Sequence, residues 1–173
     1  MINTPNIKRY LNSFASQVVK ESKGLLQSAK GSTSLANTIR YNIREDENGF
    51  RTEFYMEDYG TYLDEGVSGT GNTQSYTAYT GKKRISQYKY TTKQPPAGVL
   101  EKWIKRKGIK PQGKKISDKS LAFAIAKTIK LKGIKSISFF QIPLGVGLKK
   151  LNENFLKELT LDIKTYLTTY TKQ

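Results

Sequence analysis

The sequence predicts an α+β fold: long amphipathic N- and C-terminal helices and two shorter helices packed with a small antiparallel sheet, made of a hairpin plus a later strand. Three observations predict it. Apolar residues recur at helical spacing near the start of the chain, at Ile7, Leu11, Phe14, Val18, Leu25 and Leu26, and again near its end, at Leu148, Leu151, Phe155, Leu159, Ile163, Tyr166 and Tyr170. Between them, from Asn37, the period changes to two. No internal repeat and no Pro-rich or Gly/Ser linker divides the 173 residues, a length at which one domain buries about 70% of its unfolded surface. The expectation is therefore a single domain over residues 1–173, with a long basic Gly/Thr/Tyr-rich loop or arm at 67–94.

Each element has its own signal. Thr4-Pro5 starts the first helix, with Thr4 as N-cap and Pro5 in the first turn, where its missing N–H costs nothing, and Gly31 stops it. Ile39, Tyr41 and Ile43 then alternate with Thr38, Arg40, Asn42 and Arg44. Glu47-Asn48-Gly49 turns this strand into Phe50, Thr52, Phe54 and Met56, a hairpin with one apolar face. Residues 59–65 read as a short helix or turn. Pro95-Pro96 introduces a helix with Leu100, Trp103 and Ile104 on one face, Trp103 being read as core, and Gly108 ends it. Ser117 or Asp118 caps another helix, with Leu121, Ile125, Thr128 and Ile129 inward and Gly133 as its stop. Residues 137–142 read as a strand, and the last helix follows Pro143.

Composition closes most catalytic routes. Cysteine and histidine are both absent, which excludes disulfides, thiolate or imidazole zinc sites, Ser-His-Asp and Cys-His pairs, and histidine acid–base chemistry. Gly81-Lys82-Lys83 is not a phosphate-binding P-loop, because Tyr76 stands where the first glycine belongs and Lys83 where Ser or Thr belongs. Gly69-Thr70-Gly71 has no helical pattern after it to supply an anion-binding N-terminus. Asp58, Asp64 and Glu65 lie around one turn and could hold a metal or act as acid and base, but their plainer roles are a cap and links to lysines. No metal and no cofactor is expected. No apolar stretch reaches 18 residues and residues 1–14 lack a secretory pattern, so the chain reads as soluble and unsecreted.

Charge supplies the positive clue. The chain carries 30 Lys plus Arg against 14 Asp plus Glu, a net +16, which points to a polyanion or an acidic protein surface as neighbour. Residues 67–135 hold 17 basic and 2 acidic side chains, nearly the whole excess. Within them Lys82, Lys83, Arg84, Lys89, Lys93, Lys105, Arg106, Lys107, Lys114 and Lys115 are the candidate contacts to a partner or to nucleic acid. Tyr76, Tyr79, Tyr88 and Tyr90 interleave with several of these, as in single-strand binders, and with Tyr62 they are the candidate interface aromatics. No helix-turn-helix, zinc-finger or RNP motif accompanies them.

The order of these pieces resembles the neck and tail-completion (head–tail joining) proteins of tailed bacteriophages. The resemblance runs through Gly31-Ser32-Thr33-Ser34-Leu35-Ala36-Asn37-Thr38-Ile39 and Asp58-Tyr59-Gly60-Thr61-Tyr62-Leu63-Asp64-Glu65-Gly66. It continues at Pro95-Pro96-Ala97 with Trp103 and Lys107-Gly108-Ile109, then Ser120-Leu121-Ala122-Phe123-Ala124-Ile125-Ala126, and ends at Phe139-Phe140 and Pro143. It covers about two thirds of the chain in short signatures, none of them catalytic. It implies a non-enzymatic virion subunit, assembled in the host cytoplasm as a homo-oligomeric ring between the portal or its adaptor and the tail. In such a ring the basic middle third could face acidic neighbouring subunits or line a channel through which DNA passes. The alternative from the charge alone is a sequence-nonspecific DNA- or RNA-binding protein, with a metal-dependent nuclease a distant third.

Overall fold

A computed structural model describes residues 4–29, 33–47, 49–110 and 116–170. The fold is α+β, with long N- and C-terminal helices and small antiparallel sheets of two strands each. The chain divides into two compact units interleaved in sequence, one formed by residues 1–60, 77–82 and 138–173, the other by 61–76 and 83–137.

In the first unit α1 (Pro5–Ser28) buries Ile7, Leu11, Ala15, Val18, Val19, Ser22 and Leu26, a stripe at three- and four-residue spacing. It packs against α2 (Thr33–Thr38), the hairpin of β1 (Arg40–Asp46) and β2 (Gly49–Tyr55), and α6 (Gln141–Tyr170). The hairpin register pairs Tyr41 with Phe54, Ile43 with Thr52 and Glu45 with Phe50. Its apolar face joins an aromatic chain in which Phe54 meets Phe14 edge-on at 6.3 Å and Phe140 at 5.3 Å. On its other face Glu53 accepts from the Tyr55 hydroxyl at 2.6 Å and pairs with Arg44 at 3.1 Å. α1 and α6 approach closely at Gly147, where a Cβ would lie 2.7 Å from the Phe14 ring. The N-terminus of α1 is closed from another helix: Asp162 of α6, 1% exposed, accepts from the Asn6 N–H at 3.2 Å, the Asn6 side-chain amide at 2.8 Å and the Ile7 N–H at 3.0 Å. The carboxylate thereby meets both the orphan donors and the positive end of the helix dipole.

The second unit contains α3 (Tyr59–Glu65, from Thr61 onward), β3 (Val67–Ser68), β4 (Ser75–Thr77, up to Tyr76), β5 (Lys83–Ile85), α4 (Ala97–Lys107), α5 (Asp118–Lys132) and β6 (Gly133–Ile134). α4 and α5 pack together, and Ile104 of α4 and Ala122 and Ala126 of α5 are essentially buried. Ser117 caps α5 by accepting from the Ser120 N–H, and Gly108 ends α4 in the left-handed conformation at φ 62°. β3 pairs antiparallel with β6, and the backbones touch so closely that a Cβ on Gly69 would overlap the Leu131 carbonyl oxygen and one on Gly133 the Val67 carbonyl oxygen. Gly133 also sits at φ 79°.

Several expectations are corrected. Thr4 holds the N-cap position of α1 but its side chain makes no cap bond, because Asp162 already supplies the acceptor. Residues 137–142 are not a strand: the pairing partner of Val67 and Ser68 is Gly133–Ile134, and residues 139–140 form the turn into α6, with Pro143 in its first turn. α2 occupies the segment before the first strand, which begins at Arg40 and not at Asn37, and the second strand ends before Met56. Trp103 is 37% exposed, not core; in α5 Ala122 and Ala126 point inward while Thr128 is exposed; in α6 Asp162 takes the buried place expected for Ile163. Gly31, Asn48 and the Tyr170 side chain lie outside the described residues.

Candidate functional site

Segment 67–94, expected as a loop or arm, contains β3, β4 and β5, of which β4 and β5 form one two-stranded sheet. In the second unit it is tied down by backbone bonds. The Ser68 N–H donates to the Tyr88 carbonyl at 2.8 Å and the Tyr90 N–H returns to Ser68 at 2.8 Å. The Thr70 N–H reaches the Lys130 carbonyl at 2.8 Å and the Gly71 N–H reaches Leu131 at 2.9 Å. Ser86, 7% exposed, donates its hydroxyl to the Gly66 carbonyl at 2.6 Å. These bonds replace a hydrophobic core that a Gly/Thr-rich segment cannot build.

The candidate cations stand outward on this scaffold. Lys83 and Arg84 lie on β5 with every residue of that strand exposed; Lys89 sits at the bridge to Ser68; Lys93 is exposed beyond it. Arg106 and Lys107 are exposed in the last turn of α4, where positive charge suits the helix dipole. Lys105 pairs with Glu101 at 2.9 Å, which holds the Glu101 carboxyl below its ordinary range and the lysine above its own. Lys82 belongs to the first unit, and Lys114 and Lys115 lie outside the described residues.

The aromatics divide similarly. Tyr62 and Tyr88 meet edge-on at 4.7 Å. Tyr76 and Tyr90 are half-buried, and burial raises the Tyr90 phenol above its ordinary value. Tyr79 belongs to the first unit, where its N–H donates to the Gln141 side chain at 2.9 Å and its ring is 48% exposed. Of the expected interleaved aromatics, Tyr79 thus falls in the first unit and Tyr62, Tyr76, Tyr88 and Tyr90 in the second.

The three carboxylates do not form one site either. Asp58 precedes α3 in the first unit, while Asp64 is 2% exposed and Glu65 accepts from the Gln87 amide at 3.4 Å in the second. Among the described residues no group of three His, Cys, Asp or Glu side chains is placed to hold a metal ion, and no helix is long and apolar enough to cross a membrane.

An open groove on the second unit escaped the sequence reading. It is lined by Thr70, Gln94, Phe123, Lys127, Lys130 and Leu131. Phe123 is 56% and Leu131 54% exposed, and Lys119 and Lys127 flank Phe123 at four residues on either side along α5. That i±4 spacing was the available signal; it passed unread because the alanines beside Phe123 make the whole turn look like core.

No family model matches this chain, and no curated protein or solved structure matches it either.

Proposed function

We propose that this protein is a structural subunit of a tailed-phage particle, a neck or tail-completion protein that forms a homo-oligomeric ring joining the portal or its adaptor to the tail, and that its activity is binding without catalysis. The observation that carries this reading is the apolar surface left outside. α6 exposes Leu156 (68%), Ile163 and Leu167 along one face while its opposite side packs on α1, and in the second unit Val99 is exposed on α4, whose inner face is already packed. Single exposed leucines are ordinary, but repeated ones along one helix belong to surfaces that neighbouring subunits cover. The order of the signature segments supports the same reading. Asp58 to Gly66 spans α3, Pro95-Pro96 leads into α4, Ser120 to Ala126 supplies the buried alanines of α5, and Phe139-Phe140 makes the turn before α6.

Light scattering and electron microscopy of the purified chain, alone and with portal and tail components, test this reading. Rings alone or on the portal are expected, and replacing Leu156 and Ile163 together by Glu abolishes them along with head–tail joining. Normal joining by the doubly substituted protein would overturn it.

A further inference from the structure

We propose that the α5 face of the second unit is a binding site for single-stranded nucleic acid, with Phe123 as the stacking platform and Lys119 and Lys127 as phosphate contacts. The inference goes beyond the ring reading and does not depend on it. Lys119, Phe123 and Lys127 follow at i−4, i and i+4, so they stand on one face at steps of about 6 Å, and all three are exposed. Phe123, Lys127 and Leu131 line the groove together with Lys130, whose ammonium group donates to the Thr92 carbonyl at 2.6 Å.

Charge selects the occupant. The second unit carries 16 Lys plus Arg against 4 Asp plus Glu, a net +12. Of those four acids Asp64 is buried, Glu65 holds Gln87, Glu101 bonds Lys105 and also feels the charge of Lys119, and Asp118 occupies the first turn of α5, where the helix dipole favours it. The groove itself is lined by no carboxylate. A nucleic-acid strand offers both a phosphate row and flat base faces, and the faces are free only when the strand is unpaired.

The test uses the full chain with a labelled oligothymidylate and a duplex of equal length, followed by anisotropy across a salt series. The single strand is expected to bind more tightly than the duplex. Phe123→Ala should weaken the single-strand complex roughly five- to hundredfold with its salt slope unchanged. Lys119→Gln with Lys127→Gln should lower the slope by about 0.7 per lost contact. Phe123 is more than half exposed, so its replacement leaves the fold intact, and circular dichroism verifies this. Equal affinity for the two forms together with an unaffected Phe123→Ala variant would reduce the binding to bulk charge and overturn the proposal. Absence of binding at low salt would overturn it as well. Because the readout is binding by the purified chain, a failure of ring assembly leaves the result interpretable.

Discussion

Among the described residues, eleven of the fully buried apolar side chains belong to the first unit, from Ile7 on α1 to Phe139 before α6, whereas the second unit has only Val67, Ile104, Ala122 and Ala126. The first unit is a helix pair with aliphatic stripes facing inward and is close to charge balance, 14 basic against 10 acidic side chains. The second buries Val67 and Ile104 but keeps Val99, Phe123 and Leu131 outside, and main-chain bonds join the segment after α3 to the end of α5. The difference teaches that one chain can separate framework from surface. Side-chain burial fixes the first unit, and backbone fit fixes the second, which leaves its side chains available for partners.

Four substitutions break or sharpen this contrast. The largest effect is expected in the second unit from Gly133→Ala, since the new methyl group would overlap the Val67 carbonyl at a positive φ. A loss of about 3 kcal/mol is expected, read as faster hydrogen exchange at Ser68, Thr70 and Gly71 than at the α1 amides. Uniform acceleration across both units would show that they open together. Next, in the first unit, Asp162→Ala removes the acceptor of three donors and should cost about 2 kcal/mol in urea melts. A melt unchanged within error would mean that water caps α1 as well as the carboxylate does.

Ser22→Ala should go the other way. The Ser22 hydroxyl is fully buried on the α1 stripe without a hydrogen-bond partner, so its loss is expected to stabilise by about 1 kcal/mol. Destabilisation instead would point to a bound water at that hydroxyl. The smallest effect belongs to the exposed pair Glu101 and Lys105 on α4. The Glu101 carboxyl is lowered by its bond to Lys105, so the pair contributes only above the ordinary glutamate range and fades as pH falls through the lowered value. Lys105→Gln should raise the Glu101 titration in an NMR series while leaving the melting temperature where it was.

The same contrast governs what was legible in the sequence. Periodicity reveals elements whose order comes from burial, and so α1, the hairpin and α6 could be read from Leu11, Phe54 and Leu159 and their neighbours. Glycine stops were equally plain at Gly108 and Gly133. The strands of two or three residues at β3, β4 and β6 leave no pattern, because their partners are chosen by tertiary proximity, and the six-residue α2 is too short to show a period. The run from Ile137 to Ile142 was apolar enough for a strand, but Ser138 takes a positive φ of 51° and accepts the Thr77 N–H on its hydroxyl, which sets the turn into α6. Asp162 could not be found as a cap because its partners, Asn6 and Ile7, lie more than 150 residues away in sequence. Of the candidate site, the exposed cations Lys83, Arg84, Lys89, Lys93, Arg106 and Lys107 were legible from composition, while the i±4 placement of Phe123 between Lys119 and Lys127 was present in the sequence but masked by the alanines on either side of the phenylalanine.

Closure of α1 by Asp162 also orders events in time. A ribosome adding about 5 to 20 residues per second spends roughly 8 to 30 s between Asn6 and Asp162, and during that interval the first turn of α1 has only water for its free N–H groups. The helix can wind early, yet its tight end is sealed only after Asp162 of α6 has been made. A contact this distant in sequence makes docking of α6 a late step, so a nascent or truncated chain can cover α1 with α2 and the hairpin but leaves the part of its surface that α6 packs on open to the cell until α6 has been made.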